Sequence, residues 1–425
     1  MRLITRLSLP VLAAMTLAIP AATRSSPEAQ RFWPEWRGPL GTGEAPQATP
    51  PREWSTTKNI AWKVALPGVG KSSPIVWGDQ VIVTTAVPKD ASAEPELEWT
   101  VLAYGRKDGA EKWRRIVRTA KPHEGHHKDG TFASGSALTD GTRIYAFFGS
   151  RGLYALDMKG AVLWQKDLGL MRTRNGFGEG SSATVHGDTL VITWDHEEAD
   201  FIAAFDAATG KERWRQTRDE PTTWATPHVV EHAGKAQVVV NGTNRLVSYD
   251  LATGTPVWQT GGTTLNVIPS PVSANGMVYA MAGFRGNSLK AIKLAEAKGE
   301  LTGTPAVAFT YDRDTPYVPS PLLYKGGLYF LKSNSGILTQ LDAGTGAVRF
   351  MQRLDATPNV YASPVAASGL IYVVGREGTT VVIEAGAEYK PVATNVLDEP
   401  IDASPALVGS EIYIRGSKHL YRISS

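Results

Sequence analysis

The densest group of side chains able to do chemistry is the run His123-Glu124-Gly125-His126-His127-Lys128-Asp129. A second, Asp195-His196-Glu197-Glu198, adds another of the chain's eight histidines. Between them stand Ser150-Arg151, then Arg172, Arg174 and Glu179; Trp224 follows. Imidazole mixed with carboxylate suits Zn²⁺ or another transition metal better than Ca²⁺, which prefers an all-oxygen shell. The guanidinium groups of Arg151, Arg172 and Arg174 offer the alternative of a bidentate clamp on an anion. The candidate ligand-binding set is therefore His123, Glu124, His127, Arg151, Arg174, Glu179, Asp195, His196 and Trp224, with His123, His127 and His196 as the candidate metal ligands. The alternative is a set of solvated loops whose His and Glu side chains never meet. The His-rich run lies outside any helical pattern, which removes the zinc-protease reading. Gly178-Glu179-Gly180-Ser181-Ser182 lacks the strand-turn-helix of a nucleophile elbow, and no catalytic residue is assigned.

What must position these groups is a repeat. Its opening residue recurs at Ser73, Ser136, Ser182, Thr226, Ser270, Ser320, Ser363 and Ser404, at intervals of 41 to 63 residues. A typical unit continues through a Gly, an apolar strand, and a second apolar strand ending in Asp; a Thr-Gly turn and an aromatic residue follow, an ending that the fifth unit lacks. Ala204-Phe205-Asp206-Ala207-Ala208-Thr209-Gly210-Lys211-Glu212-Arg213-Trp214 is a clear copy. Periods of roughly 40–50 residues with four short strands mark a β-propeller. The expected fold is all-β: an eight-bladed propeller of four-stranded antiparallel blades. The last unit lacks an outer strand, and Asn59-Ile60-Ala61-Trp62-Lys63-Val64 resembles the missing one. Pairing the two closes the ring and removes an open edge. The Asp should cap its turn, the Gly supply a positive φ, and Trp113, Trp164, Trp214 and Trp258 pack between blades.

In this topology the loop before each inner strand and the loop between the second and third strands share one face. That face gathers the candidate residues, next to the channel mouth where propellers usually bind.

Composition narrows the classes of partner. The formal net charge of +3 comes without a basic stripe, which argues against nucleic acid. There is no cysteine, so disulfide, thiol, haem-attachment and lipid-modified-Cys chemistry are excluded. Arg2 and Arg6 precede the apolar run Leu7–Ile19, which reads as an export signal over residues 1–23. Residues 24–58 then form an extension and 59–425 the propeller. The signal run is too short to span a bilayer comfortably, so the exported chain is expected without an integral membrane segment, monomeric, and periplasmic or secreted.

The Ala-x-Asp-x-x-Thr-Gly-x-x-x-Trp unit, preceded by Ser-Pro-x-Val and Val-Tyr, resembles the repeat of the pyrroloquinoline quinone (PQQ) propeller superfamily. That superfamily holds eight-bladed quinoprotein alcohol dehydrogenases and the assembly lipoprotein BamB. Phe148-Gly149-Ser150-Arg151-Gly152-Leu153-Tyr154 and Trp33-Pro34-Glu35-Trp36-Arg37-Gly38 are similar to a secreted bacterial PQQ-like subgroup of unsettled activity. The resemblance implies either of two functions. One is an exported, non-catalytic scaffold binding a protein or envelope component through its loop face. The other is a PQQ- or metal-dependent oxidoreductase. The dehydrogenases' adjacent-cysteine disulfide has no counterpart here, and no Ca²⁺ triad can be placed, so PQQ remains a cofactor without a matching site.

Overall fold

The computed structural model describes residues 26–92 and 94–425; the signal segment expected at 1–23 lies outside them. Eight antiparallel sheets follow one another along the chain, each running from an inner strand at the axis to an outer strand at the rim. Blade 3 is representative, with strands Thr184–His186, Thr189–Trp194, Phe201–Asp206 and Glu212–Thr217. The two middle strands are almost wholly buried and the outer strand is largely exposed. Each middle strand shows apolar side chains to both neighbouring blades, which explains the continuous rather than alternating apolar runs. Val191, Ile202 and Ala204 of blade 3 pack with Val229, Val238 and Val247 of blade 4 in one such seam.

The eighth blade takes its outer strand from the other end of the chain. Ile60–Ala65 pairs antiparallel with His419–Ser424, in a register that sets Ile60 opposite Ile423 and Val64 opposite Leu420. The expected closure is therefore present. Blade 4 carries an unexpected fifth strand: Gly299–Glu300, from the insertion in blade 5, pairs in parallel with Trp258 and Gln259.

The repeat residues lock neighbouring blades together. Asp206 Oδ1 accepts the backbone N–H groups of Ala208 and Thr209, and Gly210 adopts φ 69°. A β-carbon on Gly210 would lie 2.7 Å from the Trp164 ring of blade 2, so the turn of one blade is the seat for the preceding blade's indole. Trp164 Nε1 then donates to Ala207 O at 3.1 Å. Trp62 and Trp214 repeat the arrangement on Arg106 O and Leu251 O. Trp258 differs. Its successor turn is replaced by the blade 5 insertion, and it donates instead to Gln237 Oε1 in its own blade. Phe309 holds the equivalent place in blade 5, against Gly346.

At the axis the eight opening residues form a closed hydrogen-bonded ring. Ser73 N–H donates to Ser136 Oγ, Ser136 N–H to Ser182 Oγ, and so on round to Ser404 N–H on Ser73 Oγ, at 2.9–3.3 Å. Residues 33–49 cross the face opposite the candidate loops. Trp33 exchanges backbone bonds with Val76, Ala45 N–H donates to Ala366 O, and Thr49 N–H to Gly409 O. Trp36 closes the axial channel from that side. The buried Arg37 guanidinium holds the carbonyls of Thr42, Pro321 and Pro364 at 3.1, 2.7 and 3.0 Å. The axial channel is thus a well lined from Trp36 at one end to His127 and Phe177 at the loop face. No helix among the described residues is long and apolar enough to cross a membrane.

Candidate functional site

The loops before the inner strands and those between second and third strands do share the open face. Residues 121–130, inserted between blades 1 and 2, lie over its rim and are tied down on both sides of the well. On the far side Asp129 accepts from Arg376 Nη2 at 3.0 Å and from Tyr361 Oη at 3.3 Å. Arg376 also binds Asp402 at 2.6 Å, and its guanidinium lies 3.9 Å from the Tyr361 ring centroid. Lys71 Nζ completes the network on Asp402 at 2.5 Å and Asp129 O at 2.8 Å. Burial is the largest single influence on the Asp129 carboxyl and raises it; the hydrogen bond and charge of Arg376, the Tyr361 hydroxyl and the charge of His127 together outweigh burial and hold the carboxyl below the ordinary value.

On the near side His123, Glu124, Arg151 and Glu179 converge. Ligand atoms of His123, Glu124 and Glu179 lie within 4.8 Å of one another. Each of the three is already engaged by protein groups. His123 Nδ1 faces Arg151 Nη2 at 3.0 Å, and Nε2 faces Met171 O at 2.7 Å. An arginine can only donate and a carbonyl only accept, so His123 is the neutral Nε2–H tautomer with no lone pair free for a metal. Glu179 accepts from the backbone N–H and hydroxyl of Ser150, and Glu124 from the backbone N–H and hydroxyl of Thr173. Burial raises the Glu179 carboxyl above its ordinary value, against the Ser150 bonds. Burial likewise lowers Arg151. These residues clamp the inserted loop to blades 2 and 3.

The three histidines expected to bind a metal are not brought together. His123 and His127 stand four positions apart, but the segment is irregular and they diverge. His127 faces the well, its ring edge-on to Phe177 at 5.0 Å. His196 is buried in blade 3, where Nδ1 accepts Arg172 N–H and Nε2 donates to Ala199 O, both at 3.1 Å. Asp195 is buried too and spent on Arg218, at 2.6 and 3.2 Å, with Thr223 Oγ1 at 2.6 Å. Arg174 engages through its backbone N–H, on Thr222 Oγ1. Trp224 stands on the wall of the well and donates Nε1–H to Gly178 O at 2.7 Å.

Reading from the loops alone found Trp224 but missed the rest of the wall of the well. It consists of the hydroxyl ring and, one layer nearer the mouth, the residues two positions before each ring member. These include Lys71, Trp224, Ile268, Val318, Tyr361 and Asp402. Two-residue spacing puts both layers on the same face of an extended chain, so aligning the repeats on the ring serine would have found them.

PQQ, which the superfamily implies, is a tricarboxylate. The well presents the carboxylates of Asp129, Glu179 and Asp402, and the Lys71 ammonium is already bound to Asp402. This donor set does not fit that cofactor.

The sequence profile of the outer membrane protein assembly factor BamB family matches residues 53–199 and 198–425. The BamB protein of Burkholderia pseudomallei (strain K96243) is 27% identical over 204 residues, which is 47% of this chain and 46% of that protein. The match thus spans about half of that relative's length. Among solved structures, BamB from Moraxella catarrhalis superposes with a TM-score of 0.60 at 15% identity, over 86% of this chain and 99% of that one. A europium-containing methanol dehydrogenase gives 0.65 at 11% identity, covering 95% and 99%. The quinohemoprotein alcohol dehydrogenase of Comamonas testosteroni gives 0.62 at 12%, covering 94% and 81%. At such identities the structural likenesses concern the fold. With a profile match spanning almost every blade, the chain belongs to the family of the outer membrane protein assembly factor BamB.

Proposed function

We propose that this protein is an exported, non-catalytic propeller that docks a protein or another envelope component through its loop face, in the periplasm or outside the cell. The observation that carries the reading is the way the face's polar groups are used. His123, Glu124, Arg151 and Glu179 on one side and Asp129, Arg376 and Asp402 on the other hold one another, and so hold the 121–130 loop in a fixed shape. A pre-shaped polar surface suits recognition, because little loop ordering is needed on binding. BamB relatives, named as assembly factors, support a protein partner. Likeness of fold to dehydrogenases assigns no activity here.

A photo-crosslinker at the exposed Lys128 on the loop face, compared with one at Lys58 on the N-terminal segment, tests this in an envelope fraction. A discrete adduct from position 128 alone is expected. Equal labelling from both positions, or quinone-dependent dye reduction by the purified protein, would overturn the reading.

A further inference from the structure

The axial well is a built cavity of about 240 Å³ whose two wall layers behave differently. The ring layer is a hydroxyl residue in every blade. The layer above it differs in nearly every blade, although the repeat places all eight positions equivalently. Trp224, Ile268, Val318 and Tyr361 make one side apolar, while Asp402, Lys71 and Ser134 make the other polar. Repetition explains the ring. It does not explain a second layer sorted into an apolar and a polar half.

The ring has donors to offer. Each ring hydroxyl accepts one backbone N–H, and none donates its own proton to an acceptor among the described residues. A hydroxyl has one proton to give, and a buried donor without an acceptor is costly. Ser73, Ser136, Ser182, Thr226, Ser363 and Ser404 line the cavity, so several such donors converge on its floor. Below the floor lies the Arg37 guanidinium, which donates to the neutral carbonyls of Thr42, Pro321 and Pro364; burial pulls its pKa down to about 9, with Glu35 opposing, so it stays cationic at neutral pH. On the wall, Asp402 and Asp129 are each matched by Lys71 or Arg376, leaving little net charge at mid-height.

We propose that the well binds a monocarboxylate with an apolar body. The carboxylate accepts from the ring hydroxyls at the floor, and the body lies against Trp224, Ile268, Val318 and Tyr361. One negative charge is matched by convergent O–H donors, whereas further carboxylates would find Lys71 and Arg376 already bound to Asp402 and Asp129. The carboxylate belongs either to a free small acid or to the end of an extended polypeptide. The second source rests on the protein-docking reading; the first does not.

Calorimetric titration of the intact protein with 4-methylpentanoate, and with its neutral isostere 4-methylpentanamide, tests the charge. A short peptide ending in Leu, as free acid and as C-terminal amide, tests the source. One-site binding of at least one acid, tenfold or more tighter than its amide, is expected. Free-acid binding alone identifies a small-molecule well, and peptide-acid binding alone a chain-end receptor. Val318→Asp, which adds a carboxylate to the apolar wall without touching the ring, should abolish binding at unchanged melting temperature. Equal affinity of acids and amides, or no saturable heat from any ligand at millimolar concentration, overturns the proposal. That failure leaves the crosslinking result at position 128 standing on its own.

Discussion

Asp195 and His196 adjoin in sequence among carboxylates, and both looked like ligands. Their side chains are turned inward, where Arg218 and two backbone groups consume them. Nothing local signals this, because the partner of Asp195 lies 23 residues away in a neighbouring loop. Asp195→Ala would leave the buried Arg218 uncompensated, at about 3–5 kcal/mol, and urea unfolding should register it as a lower midpoint with an unchanged slope. His123, by contrast, was legible as a member of a polar cluster, and only its tautomer was not. With both ring nitrogens engaged, added Zn²⁺ should not shift the melting temperature; a shift abolished by Glu124→Gln would reinstate a metal. Glu179 gives a pH test. Burial raises its carboxyl, so its protonation stabilises the fold fully below the unfolded pKa of about 4.3, and that stabilisation is lost as pH rises through the folded value. Glu179→Gln removes this titration. Its melting temperature relative to the parent should therefore increase from acid to neutral pH.

Strands and turns were far more readable than side-chain partners, since the strands recur in every unit and the turn in several. Asp206, Gly210 and Trp214 recur with the same mechanical roles because every blade must solve the same packing problem. The exceptions are where one copy breaks the pattern. The Gly299–Glu300 strand has no repeat to announce it, and its parallel pairing to blade 4 depends on the insertion's path. Trp214 is buried, seated on Gly254 and bonded to Leu251 O. Emptying that seam by Trp214→Ala should cost about 3–5 kcal/mol, measurable by chemical denaturation. Deleting residues 60–65 removes the whole outer strand of blade 8, including Trp62. The deletion should lower the melting temperature of the entire disk; an unchanged transition would show that closure adds nothing to stability.

At the scale of the molecule, the ring and its repeats made the disk legible, but the plug was not. Trp33-Pro34-Glu35-Trp36-Arg37-Gly38 has neither period nor internal counterpart, and its role appears only when the blades surround it. Arg37→Ala should orphan carbonyls in blades 6 and 7, at roughly 1–3 kcal/mol for each left unsatisfied. Hydrogen exchange at the inner strands Leu322–Tyr324 and Val365–Ala367 should accelerate before that of blade 3. The closing pair of Ile60 with Ile423 also has a meaning in time. A nascent chain appears N-terminus first, so the strand that seals the disk is made early and waits for a partner made after the other seven blades. Until His419–Ser424 emerges, every partial product is an open arc with an unpaired rim at each end. A ribosome stalled before Ile423, or a transcript truncated there, would yield a sticky intermediate instead of a smaller propeller.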